Sequence, residues 1–170
     1  IGRATALALM HAGWHVTLVG RREDALQETA ALHEGGATVL AGDITQPQTV
    51  EHIFAAQQAQ HGRLDLLFNN AGVAIGGTFE QVDEADFDWL MEINFAAVVR
   101  LTRAFLPHLK TSDEARIVNT SSLFGLIAPP NQAAYCASKF AVRGFSESLR
   151  NELALAGSTV GVSVVHPGGI

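Results

Sequence analysis

The chain has 170 residues, of which 48% are hydrophobic and 16% are charged, and its formal net charge is −6. This length and composition predict one globular domain, residues 1–170, with a substantial core. The negative charge argues against a nucleic-acid surface, and no apolar run approaches the roughly 18 residues of a membrane span. Because Cys136 is the single cysteine, it cannot form an internal disulfide, which is typical of a cytoplasmic protein.

Helical and strand patterns alternate along the chain. The predicted helices cover residues 3–12, 23–33, 47–61, 84–109 and 133–156, with Gly35 and Gly36 closing the second. The predicted strands cover residues 14–19, 38–41, 64–68, 116–120 and 160–165. This alternation predicts an α/β fold, a Rossmann-like doubly wound parallel sheet in three layers with helices on both faces.

Polar and glycine-rich clusters follow the carboxyl ends of the predicted strands, where ligands bind in open parallel sheets. These clusters are Gly20-Arg21-Arg22, Asp43, Asn69-Asn70-Ala71-Gly72, Ser121-Ser122 and Pro167-Gly168-Gly169. The fact that all of these clusters lie at the carboxyl ends of strands is stronger evidence for a binding site than any single cluster.

Tyr135, the only tyrosine, precedes Lys139 by four residues on a predicted helix, which places both on one face. A phenol normally titrates near pH ~10, and a nearby cation favours its phenolate form. With Ser122 upstream, these groups could exchange a proton with a carbonyl oxygen. The pair alone favours the simpler interpretation, a buried tyrosine beside a surface lysine, and the functional interpretation depends on the other motifs.

These motifs together resemble the short-chain dehydrogenase/reductase family over essentially the whole chain. The resemblance rests on five elements in register: Asn69-Asn70-Ala71-Gly72, Asn94, Ser122, the Tyr135–Lys139 pair and Pro167-Gly168. Gly2 resembles the tail of the family's glycine-rich cofactor motif. The resemblance also implies that this chain is an internal part of a longer one. It lacks a first strand that would lie between those ending at Gly20 and at Phe68, so we expect a slot there.

The resemblance implies a hydride transfer between a nicotinamide cofactor and a carbonyl or secondary alcohol. Tyr135 would be the catalytic acid/base, and Ser122 would bond the substrate oxygen, with Ser121 as the adjacent alternative. Lys139 would bind the nicotinamide ribose, and Asn94 would hold a water that links Lys139 to solvent. Without the resemblance, Asn94 is interpreted as a polar residue that bonds to the backbone and distorts a helix.

The first predicted strand of this chain, which is the second strand of the family fold, ends at Gly20 without a carboxylate. Arg21 and Arg22 follow at once. In this fold an acidic residue at that point favours NAD, whereas an arginine accommodates the phosphate of NADP. The sequence therefore favours NADP over NAD, although both arginines could instead form a solvated helix start next to Glu23.

The remaining cofactor contacts come from the resemblance. Asp43 would bond the adenine amino group, and Ile44 would pack against the base. The backbone of Asn70, Ala71 and Gly72 would approach the adenosine side, while Pro167 and Gly168 would bound the nicotinamide.

The sequence gives coarser indications about partners. Its seven histidines are scattered without metal-ligand spacing, so we expect no metal. Apolar segments near the site favour a hydrophobic carbonyl or alcohol substrate. The resemblance implies a homodimer or homotetramer through helices 84–109 and 133–156. A non-catalytic dinucleotide-binding sensor on the same scaffold is the alternative function.

Overall fold

The structure is a computed structural model that describes residues 1–35 and 37–169, so Gly36 and Ile170 lie outside the described residues. Strands and helices alternate along the chain. The helices are α1 (Gly2–His11), α2 (Glu23–Ala31), α3 (Pro47–His61), α4 (Glu84–Met91), α5 (Ala97–Leu109) and α6 (Ala133–Leu155). The strands are β1 (Val16–Gly20), β2 (Ala37–Ala41), β3 (Leu66–Asn69), β4 (Arg116–Thr120) and β5 (Gly161–Val165). A π-helical segment, Glu92–Ala96, joins α4 to α5, and a short 3₁₀ turn, Leu123–Gly125, follows β4.

Local chemistry explains where several helices begin and end. Pro47 occupies the first turn of α3, where its missing N–H costs no hydrogen bond, and Gly62 ends that helix with φ +65°. The side chain of Asp83 accepts a 2.8 Å hydrogen bond from the Asp86 backbone N–H and so caps α4. The second helix ends at Ala31, two residues earlier than predicted, because the chain leaves the helix in a turn at Leu32.

The predicted parallel α/β architecture is confirmed, and the strands form two separate sheets. Strand β1 pairs with β2, and β4 lies between β3 and β5, with every pairing parallel. Helix α5 packs on β3 and β4, while α6 packs on β4 and β5. The main core cluster includes Ile53, Phe105, Ile117 and Val162, so it joins α3, α5 and the three-stranded sheet.

The predicted slot between the strands ending at Gly20 and Phe68 is present. A cleft of about 1170 Å³ separates β1 from β3 and is lined by residues 15–19, residues 63–71 and the inner face of α1. We call it the inter-sheet cleft. Since β1 pairs only with β2 and β3 only with β4 among the described residues, each strand presents one unpaired edge to this cleft.

The predicted helix over residues 84–109 is not uniform. Its middle turn, Glu92–Ala96, is π-helical, and α5 then continues through Pro107 to Leu109. A π turn inserts one extra residue into a helix and is frequent at functional sites. The insertion occurs around Asn94, which faces the loop that follows β3.

Candidate active site

Helix α6 places Tyr135 and Lys139 on one face, one helical turn apart. The Lys139 Nζ atom lies 5.6 Å from the centroid of the Tyr135 ring. Tyr135 is half-buried, and the Phe124 ring packs edge-on against it with ring centroids 6.1 Å apart. The phenol is therefore held between an aromatic ring and a cation.

The Lys139 ammonium is nearly inaccessible to solvent, since the residue is only 4% exposed. Nζ donates a 3.0 Å hydrogen bond to the Thr120 backbone carbonyl, its one acceptor among residues 1–35 and 37–169. Burial lowers the pKa of Lys139 to about 8, because desolvation disfavours the charged form. The Thr120 hydroxyl is also buried and has no partner within the described part of the chain. The other N–H donors of Lys139 and the Thr120 hydroxyl therefore have no hydrogen-bond partner among the described residues.

The two adjacent serines after β4 differ in what their hydroxyls do. The Ser121 hydroxyl is buried and donates a 2.9 Å hydrogen bond to the Lys139 carbonyl, which ties β4 to α6. Ser122 is half-buried, and its Oγ accepts a 3.2 Å hydrogen bond from the Phe124 N–H. Within the described part of the chain the Ser122 hydroxyl proton has no acceptor, whereas the Ser121 hydroxyl donates to the helix backbone.

Asn94 is 1% exposed, and its side-chain amide is fully engaged. Its Oδ1 accepts a 2.8 Å hydrogen bond from the Val73 N–H, and its Nδ2 donates to the Val73 carbonyl at 2.9 Å. Nδ2 also donates to the Ser138 hydroxyl at 3.0 Å. Asn94 thus bonds to backbone from a distorted helical turn, as its sequence context alone indicates.

Gly72 brings backbone close to Asn94 and Lys139. A Cβ at this position would lie 3.2 Å from Asn94 Oδ1 and 3.3 Å from Lys139 Nζ, which leaves no space for a side chain without displacement. Gly2 approaches Asn70 even more closely, since a Cβ there would lie 2.6 Å from Asn70 Nδ2. Asn70 is half-buried and Ala71 exposed, and both line the inter-sheet cleft.

Asp43 and Ile44 follow β2. Asp43 Oδ1 accepts hydrogen bonds from the Thr45 N–H at 3.0 Å and the Thr45 hydroxyl at 2.8 Å. The Thr45 backbone hydrogen bond is the largest cause that lowers the pKa of Asp43, and the charge of Arg21 lowers it further. Asp43 therefore keeps its second carboxylate oxygen without a hydrogen-bond partner among the described residues. Ile44 packs against the main core cluster.

The remaining predicted residues lie along the same edge of the sheets. Arg21 and Arg22 are exposed directly after β1, and Arg22 lines the inter-sheet cleft. The Pro167 carbonyl accepts a 2.9 Å hydrogen bond from the Leu123 N–H, which holds the segment after β5 beside the Ser122 turn. Gly168 is exposed, and a Cβ there would contact nothing within 4 Å.

Three contacts at the site were not predicted from the sequence. These are the Thr120 carbonyl that holds Lys139, the Val73 backbone that holds Asn94, and the Ser138 hydroxyl. Two of them are backbone groups, which leave no signature in residue type.

In the part of the chain that the structure describes, no cluster of three or more metal-ligating side chains occurs. None of its helices there is both long and apolar enough to span a bilayer.

The parallel sheets, with polar residues gathered at the carboxyl ends of their strands, define a Rossmann-like α/β protein. The sequence profile of the short chain dehydrogenase family matches residues 1–170. The chain therefore belongs to that family.

Comparison with individual proteins agrees with this assignment. SadH of Mycobacterium tuberculosis, an oxidoreductase by name, is 42% identical over 173 residues, which cover all of this chain and 63% of SadH. A short-chain dehydrogenase from Streptomyces avermitilis superposes with a TM-score of 0.93 at 34% identity, over 99% of this chain and 62% of that one. A short chain dehydrogenase/reductase from Burkholderia phymatum, solved in complex with NAD, gives 0.91 at 31% identity over the same shares. The chain thus spans about three fifths of the length of these proteins.

Proposed function

We propose that the protein is an oxidoreductase that transfers a hydride between NADP(H) and a carbonyl or secondary alcohol substrate. The observation that carries this proposal is the buried Lys139 ammonium, 5.6 Å from the centroid of the Tyr135 ring and with one acceptor among the described residues. A buried cation with unused donors beside a phenol is suited to holding a ligand and controlling a proton. The same features disfavour a non-catalytic sensor, which would not need them.

The residues at the site fit a nicotinamide cofactor. Lys139 has donors to spare for ribose hydroxyls, and the Thr120 hydroxyl is buried without a partner among the described residues. The close approach that only glycine permits at Gly72 gives backbone access to a ligand at this edge. When bound, the cofactor supplies or accepts the hydride, and the protein supplies orientation and proton handling.

Tyr135 then acts as the acid that protonates the substrate oxygen during reduction, and as the base in the reverse direction. Ser122 keeps its proton and donates a hydrogen bond to the same oxygen, which orients the carbonyl. Since the amide of Asn94 is occupied by Val73 and Ser138, this side chain has no free donor for a relay water. We therefore assign its contribution to the position of the loop after β3.

We propose NADP rather than NAD as the preferred cofactor. Arg21 and Arg22 are exposed after β1, where they can grip a ribose phosphate, and no carboxylate ends that strand. Asp43 retains a free carboxylate oxygen for the adenine amino group, and Ile44 lies beside it. Asn70, Ala71 and Gly72 would line the adenosine side, with Gly2 at the start of α1. Pro167 and Gly168 would bound the nicotinamide.

The substrate that fits best has an apolar substituent next to its carbonyl or hydroxyl. Leu123, Leu126 and Ile127 are large apolar residues exposed in the segment that follows Ser122. Two relatives support this class by name, a 3-ketodihydrosphingosine reductase from Bacteroides thetaiotaomicron, 38% identical, and a CLA biosynthesis dehydrogenase/reductase from Lactiplantibacillus plantarum, 32% identical. When an apolar ligand covers these exposed side chains, apolar surface is removed from water and the complex is stabilised.

We also propose a homodimer or homotetramer that acts in the cytoplasm. Trp89 on α4 and Phe140 on α6 are each about two-fifths exposed, on the helices predicted to form the contact. Large apolar residues exposed on neighbouring helices are typical of protein interfaces.

The proposed chemistry is tested by Tyr135→Phe in the protein expressed from its full reading frame, with NADPH absorbance followed across a panel of carbonyls. This substitution keeps the ring and removes only the hydroxyl. Positioned proton transfer contributes about 10²–10⁴-fold, so turnover should fall by that factor while NADPH affinity changes little. Ser148→Ala, which removes an exposed hydroxyl from the same helix, should change neither. Unchanged turnover in Tyr135→Phe would remove this residue from the mechanism.

A further inference from the structure

Ser138 lies between Tyr135 and Lys139 on α6 and is fully buried. Its hydroxyl donates a 2.8 Å hydrogen bond to the Tyr135 carbonyl and accepts a 3.0 Å hydrogen bond from Asn94 Nδ2. The single proton and one lone pair of the hydroxyl are thus both used. Ser138 is therefore the point at which the Tyr135–Lys139 turn is bonded to the π-helical segment.

A series of hydrogen bonds connects Ser138 through Asn94 to the loop after β3. Asn94 holds both the N–H and the carbonyl of Val73, as a neighbouring strand would. Gly72 precedes Val73, and a Cβ at Gly72 would lie only 3.3 Å from Lys139 Nζ, so this loop packs closely against the buried ammonium. A small shift of the loop relative to α6 would change the surroundings of the ammonium.

We propose that Ser138 is a positioning residue that fixes the Gly72–Val73 loop against the Tyr135–Lys139 turn through Asn94. This inference rests on the proposed oxidoreductase function, because the position matters only if both groups serve one reaction. Without the hydroxyl, Asn94 Nδ2 keeps one acceptor, the Val73 carbonyl, and is no longer bonded to α6. The loop and the catalytic turn can then move apart.

Helix α6 contains a matched control for this inference. Ser146 is also fully buried, its hydroxyl donates to the Val142 carbonyl at 2.6 Å, and it accepts a 2.9 Å hydrogen bond from Asn119 Nδ2. Ser146 therefore has the same burial and the same kinds of partner as Ser138. It lies two turns further along the helix, and among the described residues its hydroxyl bonds to Val142 and Asn119 rather than to the Tyr135–Lys139 turn.

The test compares Ser138→Ala with Ser146→Ala in the protein expressed from its full reading frame. Both variants remove one buried hydroxyl and should lower the melting temperature by comparable amounts. Only Ser138→Ala should lower kcat, by roughly 10-fold with KM for the carbonyl within about twofold, since a small displacement of reacting groups costs turnover rather than substrate binding. Equal kcat values for the two variants would overturn the inference.

Amide hydrogen exchange gives a second measurement that needs no turnover. The Val73 N–H donates to Asn94 Oδ1, so its exchange should accelerate several-fold in Ser138→Ala and stay at the wild-type rate in Ser146→Ala. Unchanged Val73 exchange in Ser138→Ala would overturn the inference by itself. A wild-type protein without turnover on any carbonyl would instead contradict the proposed function, and Val73 exchange would still decide whether Ser138 holds the loop.

Discussion

The buried ammonium of Lys139 donates to the backbone carbonyl of Thr120, the last residue of β4. This bond fixes the cation at the carboxyl end of a strand, where ligands bind in parallel sheets. A single neutral acceptor offsets only part of the cost of burying a charge, which is why burial lowers the pKa of Lys139 to about 8. The site therefore holds a destabilising group, and this cost can be measured.

Replacing Lys139 with Met should make the protein more stable at pH 7. Between pH 8 and 10.5 the unfolded chain binds more protons at this lysine than the folded chain, so the free energy of unfolding of the wild type should rise with pH across that window. The rise is at most about 3 kcal/mol, and the Met variant should lack it. Because the substitution also removes the bond to Thr120, we expect a net gain of about 1–2 kcal/mol at pH 7.

Urea unfolding at pH 7, 8 and 10 measures this difference. The chain has one other lysine, Lys110, which is exposed. Lys110→Met should leave the pH dependence unchanged and is the matched control. A Lys139→Met variant that is less stable than wild type at pH 7 would show that the buried charge is stabilised by partners other than Thr120.

The same substitution should reduce function. Lys139→Met removes the cation beside the Tyr135 ring and the donors proposed for the ribose, so turnover should fall roughly 10²-fold and NADPH affinity roughly 10-fold. Steady-state kinetics and NADPH fluorescence titration measure the two effects, with Lys110→Met again as the control. Normal NADPH affinity in a variant that has lost turnover would exclude ribose binding by Lys139.

A methyl group at Gly72 should displace the side chains of Asn94 and Lys139. The added Cβ of Gly72→Ala would lie 3.2 Å from Asn94 Oδ1 and 3.3 Å from Lys139 Nζ, so both neighbours must move by a few tenths of an ångström. We expect a loss of about 1 kcal/mol of stability and of roughly 10-fold in turnover. The Cβ of Gly144→Ala in α6 meets no described atom within 4 Å apart from the neighbouring backbone of its own helix, so this substitution should instead stabilise the helix by about 0.5–1 kcal/mol.

Thermal melts and kinetics of these two glycine variants distinguish a crowded site from a general effect of added methyl groups. Equal turnover in both would mean that Gly72 has room for a side chain in solution.

The sequence was sufficient to predict the order and type of the elements, because each has its own periodicity and its own end signals. Strand β4 has the predicted bounds, Arg116–Thr120, and α3 begins at Pro47 and ends before Gly62 as predicted. The π-helical segment was not predicted, since residues 84–109 form one helical pattern without a glycine. Its cause is tertiary, because Asn94 bonds to Val73, 21 residues earlier. Long-range bonds of this kind leave no local pattern.

The candidate site shows the same difference between features with a local sequence pattern and features that depend on long-range contacts. The sequence predicts Tyr135, Lys139 and Ser122 as site residues because their residue types, order and spacing match the family pattern, and the structure places the Lys139 Nζ atom 5.6 Å from the centroid of the Tyr135 ring. Spacing to Tyr135 already favours Ser122 over Ser121, and the structure adds that the Ser121 hydroxyl donates to the Lys139 carbonyl. The hydrogen bonds of the Ser138 hydroxyl to Tyr135 and Asn94 were not predicted, because a buried serine in a helix has no distinctive sequence context.

Cofactor preference depends on Arg21 and Arg22. Their joint replacement by Ala should weaken NADPH binding about 10–100-fold, the effect of losing one or more charge-assisted hydrogen bonds, and leave NADH binding nearly unchanged. Lys110 and Arg116 are exposed away from this edge, and their joint replacement by Ala gives the same change in net charge. Calorimetric titration with both cofactors measures the ratio. Equal losses for NADPH and NADH would make Arg21 and Arg22 structural, and a wild type that prefers NADH would contradict the NADP assignment.

The last prediction concerns residues 1–170 produced alone. Strands β1 and β3 each expose one unpaired edge to the inter-sheet cleft, which has a volume of about 1170 Å³ and is lined by apolar residues such as Leu18 and Leu67. Unpaired apolar edges pair with other chains, and a native domain is stable by only about 5–15 kcal/mol. We therefore expect this chain to aggregate or to be partly unfolded, without tight NADPH binding. Light scattering after size exclusion, calorimetric melting and NADPH titration measure these properties, with the product of the full reading frame as the control. A monomer that melts cooperatively and binds NADPH saturably would show that the two sheets are stable with the cleft open.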